Sequence, residues 1–204
     1  MNIFEIFEKG GPMMWPLLLT SVIATSVVVE RIIFMVREKK RRSPETVNRI
    51  FKSAEEGDLD SAVSAGGDSR DFVARALVYG LAHRGTSFSS ALLHAANLEL
   101  KCYSQGIVVL DTIITLAPLL GLLGTVTGMM HSFSLLGGQE LDAPAAITGG
   151  IAEALIATAF GLGIAIISLI PFNFLNARLE EARHEIEDAS NHLELILMQQ
   201  EKRV

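Results

Sequence analysis

The chain has 204 residues, half of them hydrophobic, and a mean hydropathy of +0.38, too apolar for an ordinary soluble domain of this size, so a membrane protein is the first reading. A net charge of −6 argues against nucleic acid as a partner, and an aromatic content of 6% with little β-branched alternation argues for helices over a membrane β-barrel. The single cysteine, Cys102, excludes an internal disulfide framework and reads as a small buried apolar residue.

Residues 1–11 read as a short amphipathic segment at the outer surface. Phe4, Ile6 and Phe7 either lie on the membrane or belong to a frayed terminus. The leader MNIFEIFEKGG carries Glu5 and Glu8 where a secretory signal needs positive charge, so the apolar segment behind it is expected to stay as an anchor. That segment, 12–36, is the first of three that exceed the roughly 20 residues a bilayer core requires; the others are 107–136 and 145–175. In the first, Trp15 suits the outer interface belt. Glu30 and Arg31 sit beside the inner boundary, where they reach headgroups as snorkelling anchors.

Charge predicts the orientation. The run REKKRR over 37–42 follows the first span directly, the 137–144 loop carries two acids and no base, and the tail holds Arg178, Arg183, Lys202 and Arg203. The excess of positive charge on cytoplasmic segments then puts the N-terminus and the 137–144 loop outside, and 37–106 and the 176–204 tail inside.

The 37–106 region reads as small helices. Ser43-Pro44-Glu45 is a helix start, with a capping residue and proline at the first helical position. Asp58 caps a second helix ending at Gly66-Gly67, and a third covers 71–81. Thr86 or Ser87 opens a long one in which Phe88, Leu92, Ala95, Leu98 and Cys102 keep helical spacing. No proline intervenes before Pro118, so this helix is expected to run unbroken into the second span. His83 and His94 lack the spacing of metal ligands, and no metal or other cofactor is expected.

In the second span, Gly124 and Gly128 form a G-x-x-x-G pair suited to close helix contact, and Pro118 is a candidate bend. Asp111 near the inner end reads as a cap or as a partner for inner-loop bases, and His131 near the outer end as a satisfied structural histidine. Thr125 and Thr127 bring hydroxyls to depth, although buried threonines often only bond the preceding turn.

The third span carries one ionisable residue, Glu153, and small residues Ala157, Gly161 and Ala165 at i, i+4, i+8 for helix packing. A carboxylate at lipid depth costs a few kcal/mol or more, which makes it a functional-site candidate. From the start of the span it lies roughly 12 Å in at about 1.5 Å per residue. Two readings of the residue stand side by side. It carries protons between the two faces, or it stays protonated and hydrogen-bonded to a neighbouring helix. The tail continues inward with Leu179, Ala182, Ile186, Ala189, Leu193 and Ile196 as a heptad-like seam, suited to self-association or to packing on the inner-loop helix.

Enzyme readings fail on inventory. The glycine-rich GLLGTVTG lacks the G-K-[ST] of a phosphate loop and lies inside a lipid span, and neither H-E-x-x-H nor G-x-S-x-G occurs.

The stretches APLLGLLGTVTGMMHSF (117–133) and GIAEALIATAFGLGIAI (150–166) resemble the signatures of the ExbB/TolQ/MotA family of proton-channel motor proteins, and the three-span layout resembles ExbB and TolQ within it. The resemblance implies an all-α protein of the bacterial inner membrane, its N-terminus and 137–144 loop periplasmic, with long helices extending into the cytoplasm. It implies a homopentamer whose second and third spans line a pore that holds single-span ExbD/TolR-like subunits. It implies coupling of the proton motive force to a TonB- or TolA-like protein, for outer-membrane transport or envelope maintenance. It also implies a proton pathway of Glu153, Thr158 and Thr125, and it matches Asn173 and Phe174 to the family's ending of the third span. The family often has proline where this chain has Ile167; Pro171 follows four residues later and displaces any kink. Two other readings are a passive membrane scaffold oligomer whose acid only fixes assembly, and a Na⁺-driven relative.

Overall fold

The computed structural model describes residues 3–135 and 143–201, all of them in helices or short connections. Among the described residues eight helices follow one another: α1 (Ile3–Lys9), α2 (Met14–Arg41), α3 (Pro44–Glu55), α4 (Leu59–Gly66), α5 (Phe72–Ala82), α6 (Arg84–Ser104), α7 (Ile107–Leu135) and α8 (Ala143–Glu201). Residues 137–142 of the expected periplasmic loop, and Lys202 and Arg203 of the tail, lie outside the described residues. Helices α2, α7 and α8 are long and apolar enough to cross a membrane. Both α7 and α8 continue through their internal prolines, Pro118 and Pro171.

The chain divides into two compact units. The first comprises Met1–Glu30 and Gly106–Phe174. Its centre is the cluster Met14, Leu17 and Ala157, against which Phe7, Met13, Leu120, Ile156 and Ile164 pack. Phe7 therefore packs on protein, its ring centroid 5.3 Å from that of Trp15 in an edge-to-face arrangement, and Trp15 is itself exposed. Most of the apolar surface of this unit points outward, with Leu19, Leu122, Phe133, Ile167 and Ile170 more than half exposed. A surface of that extent suits lipid or further chains.

The second unit comprises Arg31–Gln105 and Leu175–Val204. Local signals start its helices. Pro44 opens α3, with Ser43 bonding the Thr46 hydroxyl at 2.9 Å. Asp58 accepts the Ser61 amide at 2.9 Å to cap α4, and Asp71 accepts the Val73 amide at 2.9 Å to cap α5. In α6 the backbone of Ser87 is extended, and its hydroxyl accepts the Ser90 amide at 3.4 Å, so regular helix begins there.

The core of this unit is apolar and continuous, built on Ile50, Ala54, Leu77, Leu81, Leu92, Ile186 and Leu193. The tail seam thus packs on the helices of the 44–104 region: Ala182, Ile186, Leu193 and Ile196 are all buried in that core. Gln200 seals the far end by donating to the carbonyls of Ala54 at 2.6 Å and Glu55 at 3.0 Å, where α3 runs out of partners.

Three expectations are corrected here. The helix of 84–104 does not continue into the second span. Gln105 is extended and Gly106 takes φ +76°, a left-handed backbone that glycine enters without a Cβ penalty. Cys102 is exposed, because the buried stripe of α6 passes through Tyr103 instead. Arg31 is only 3% exposed. It donates to the Cys102 carbonyl at 2.8 Å, meeting an acceptor that the end of α6 leaves open, and its guanidinium lies 4.8 Å from the Phe34 ring centroid. It does not reach for headgroups.

Candidate functional site

The site is built on the seam between α7 and α8, where the two backbones come close enough that a side chain would not fit. A methyl group on Gly124 would stand 2.6 Å from Cβ of Ala157, one on Gly161 would stand 2.5 Å from the Ala117 carbonyl oxygen, and one on Gly128 would stand 3.2 Å from Cβ of Ala154. Gly121 lies against the backbone of Thr158, and a methyl on Gly150 would overlap the Ser132 hydroxyl. The antiparallel register is therefore 117 and 121 beside 158–161, 124 beside 157, and 128–132 beside 150–154. Ala165 continues the buried face of α8 at 8% exposure. Small residues on both helices allow this approach.

Along this seam the candidate groups differ in what they already bond. The Thr158 hydroxyl crosses to α7 and donates to the Gly121 carbonyl at 3.0 Å. The Thr125 hydroxyl stays on its own helix, donating to Leu122 at 2.6 Å, and Thr127 likewise bonds Leu123 at 3.0 Å. Each hydroxyl proton is used, and the oxygen lone pairs remain as acceptors.

Glu153 is half-buried, one turn of α8 before Ala157 and about 15 Å from the first residue of the helix at 1.5 Å per residue. Its carboxylate makes no hydrogen bond or ion pair among the described residues. The turn ahead of α2 lies against it. A methyl added at Gly11 would overlap Oε1 and Cδ of Glu153 and stand 2.9 Å from its Cγ. Next to it, Gly10 lies against Met14 and Ile156, and Met13 lies against Gly124. The acid thus stands level with the start of α2, with Thr158 about 7.5 Å further along α8 toward its C-terminal end.

The structure brings together Gly124 with Ala157, Gly128 with Ala154, and Thr158 with Gly121. It shows no bond from Glu153 to Thr125 or Thr158. Asp111 is exposed on α7, and its carboxylate pairs with no base among the described residues. His131 is exposed, and its ring has no partner among the described residues. Gly11, Gly121 and Gly150 escaped the sequence reading. The Gly10-Gly11-Pro12 string marks a turn, but nothing local in it announces a contact with a residue 142 positions on.

Residues 68–188, which include all of α7 and both Glu153 and Thr158, match the sequence profile of the MotA/TolQ/ExbB proton channel family. The chain belongs to that family. It is 36% identical over 203 residues to biopolymer transport protein ExbB-like 1 of Synechocystis sp., covering 96% of this chain and 79% of the relative. It is 27% identical over 219 residues to the biopolymer transport protein ExbB of Neisseria meningitidis serogroup A, covering 98% and 99%. Over 106 residues it is 35% identical to the Tol-Pal system protein TolQ of Haemophilus influenzae, covering 52% and 46%. These homologues support a membrane-embedded transport role of the proton-channel energiser type.

Proposed function

We propose that this protein is the channel subunit of a proton-driven motor of the ExbB/TolQ kind, and that Glu153 is its proton-carrying acid. The observation that supports this reading most is the state of Glu153: a half-buried carboxylate beside a closely packed helix seam, without a hydrogen-bond or ion-pair partner among the described residues. A carboxylate so placed is poised to exchange a proton or to meet a group on another chain. Thr158, deeper on the same helix, and Thr125 on α7 offer acceptor oxygens along the inward route.

In this reading 37–106 and 176–204 are cytoplasmic, and the N-terminus and the 137–144 loop are periplasmic. Five copies surround a pore that holds a single-span ExbD/TolR-like subunit. A charge crossing the full membrane potential gains about 2.3 kcal/mol per 100 mV. Protonation and release at Glu153 convert that energy into movement of the pore subunit against the α7–α8 seams. The movement reaches a TonB- or TolA-like protein and drives outer-membrane transport or envelope maintenance.

Glu153→Gln tests the reading. The variant keeps the size and the packing of the side chain but does not titrate. It is expected to accumulate and assemble like the parent while energised transport falls to background. Full transport by an assembled variant would refute the acid's role.

A further inference from the structure

The geometry points to the Gly10-Gly11-Pro12 turn as a positioning element for the Glu153 carboxylate, a wall on its outer side that keeps it turned away from the aqueous mouth. This rests on the reading of Glu153 as the working acid, and it assigns a role to a segment that lies outside the 68–188 match.

Two independent features of Gly11 support it. Its φ of +70° is a left-handed backbone that side chains rarely adopt. Separately, the space that a Cβ would occupy is filled by the carboxyl group of Glu153, with Oε1 and Cδ in overlap and Cγ at 2.9 Å. Glycine is thus needed both for the turn and for the acid.

The turn is held in place from both sides. Its amides are used locally, Gly10 donating to Ile6 at 3.0 Å and Gly11 to Glu8 at 3.4 Å, and the Gly11 carbonyl accepts the Met14 amide at 3.1 Å as α2 begins. Phe7 packs on the cluster of Met14, Leu17 and Ala157, one turn along α8 from the acid. The turn offers the carboxylate a surface and no hydrogen bond. That restricts its rotamers and leaves its oxygens free for a proton or for a partner chain. A hydrogen-bonded wall would hold the charge; an apolar backbone edge holds only the direction.

The test reads the accessibility of residue 153 in the full-length protein in its membrane, by labelling with a water-soluble carbodiimide and mass spectrometry of the labelled peptide. In Gly11→Ala the new methyl displaces the carboxyl group, and labelling is expected to quicken about fivefold or more as the side chain leaves its rotamer. Gly57→Ala introduces a side chain at another left-handed glycine, φ +85°, and is expected to label at the parental rate. A parental rate in Gly11→Ala, or an equal change in Gly57→Ala, overturns the assignment.

If Gly11→Ala fails to accumulate, Gly11→Ala combined with Glu153→Ala decides the matter. Recovery of the double variant shows that the acid side chain was the obstacle, and continued loss shows that backbone strain alone was. These readouts do not depend on transport. An active Glu153→Gln variant would therefore sink the proton reading and leave the contact standing.

Discussion

The Arg42 guanidinium places one nitrogen 2.6 and 2.7 Å from the two carboxylate oxygens of Asp71, a residue with no solvent exposure. Asp71 also accepts the Ser43 amide at 2.6 Å and the Val73 amide at 2.9 Å, so one carboxylate caps α5 and ties down the junction between α2 and α3. Arg42 spreads its other arm to Glu185 of α8 and lies 4.7 Å from the Phe72 ring centroid.

Removing Asp71 leaves half-buried Arg42 with Glu185 as its carboxylate partner and takes the acceptor from the Ser43 and Val73 amides. Asp71→Ala is expected to cost stability at the low end of about 3–5 kcal/mol, since Arg42 keeps 28% exposure and some access to water. Arg42→Lys is expected to lose stability as well, because one ammonium group cannot serve two carboxylates in forked geometry. Thermal unfolding of the detergent-solubilised protein checks both.

The cap of α4 makes stability depend on pH in a defined direction. The Ser61 hydroxyl at 2.6 Å and the Ser61 amide at 2.9 Å both stabilise charged Asp58, and its pKa is held below the ordinary aspartate value. A depressed folded-state pKa adds stability that is complete above the unfolded value and is lost as pH falls through the folded one. Asp58→Ala is therefore expected to lower stability by a constant amount from neutral pH down to about 4, with the gap narrowing below that. Limited proteolysis at the α3–α4 turn across pH measures it.

The seam separates glycines that are needed for space from those that are not. Gly161→Ala puts a methyl 2.5 Å from the Ala117 carbonyl oxygen, and the overpacking is expected to cost about 1–3 kcal/mol. Gly163, two residues on, has nothing within 4 Å of an added methyl in the protomer. Gly163→Ala is expected to be neutral, or to stabilise by up to about 1 kcal/mol through helix propensity. Melting temperatures of the two purified variants give the comparison directly.

Thr158 offers a measure of a hydroxyl that crosses the seam. Thr158→Val keeps the shape of the side chain and leaves the Gly121 carbonyl without its second donor, at an expected cost of about 1 kcal/mol. Thr158→Ser restores the hydroxyl and is expected to recover most of it. A loss of transport in the valine variant larger than this stability change predicts would mark a further role for the hydroxyl oxygen.

Much of this architecture is a property of short stretches of chain. The three spans follow from runs of apolar residues longer than a bilayer core, and the starts of α3, α4 and α5 follow from Pro44 and from the capping carboxylates of Asp58 and Asp71, which act within three residues. Glu153 stands out because nothing else in its span ionises. What long-range packing decides is different in kind. The seam of Ile186 and Leu193 is equally apolar whether it meets a second copy or the 44–104 helices, and only the fold shows Ile50 and Leu77 filling the space beside it. Arg31 looks like an interfacial cation until the Cys102 carbonyl is brought to it.

Sequence alone therefore determined that this is a helical membrane protein with one acid in its third span, because hydropathy and capping are local free energies. Only the tertiary structure decided what stands next to that acid. Gly11 is 142 residues away, and its meeting with Glu153 depends on the register in which the start of α2 packs on α8, a sum of contacts that no single stretch of chain contains.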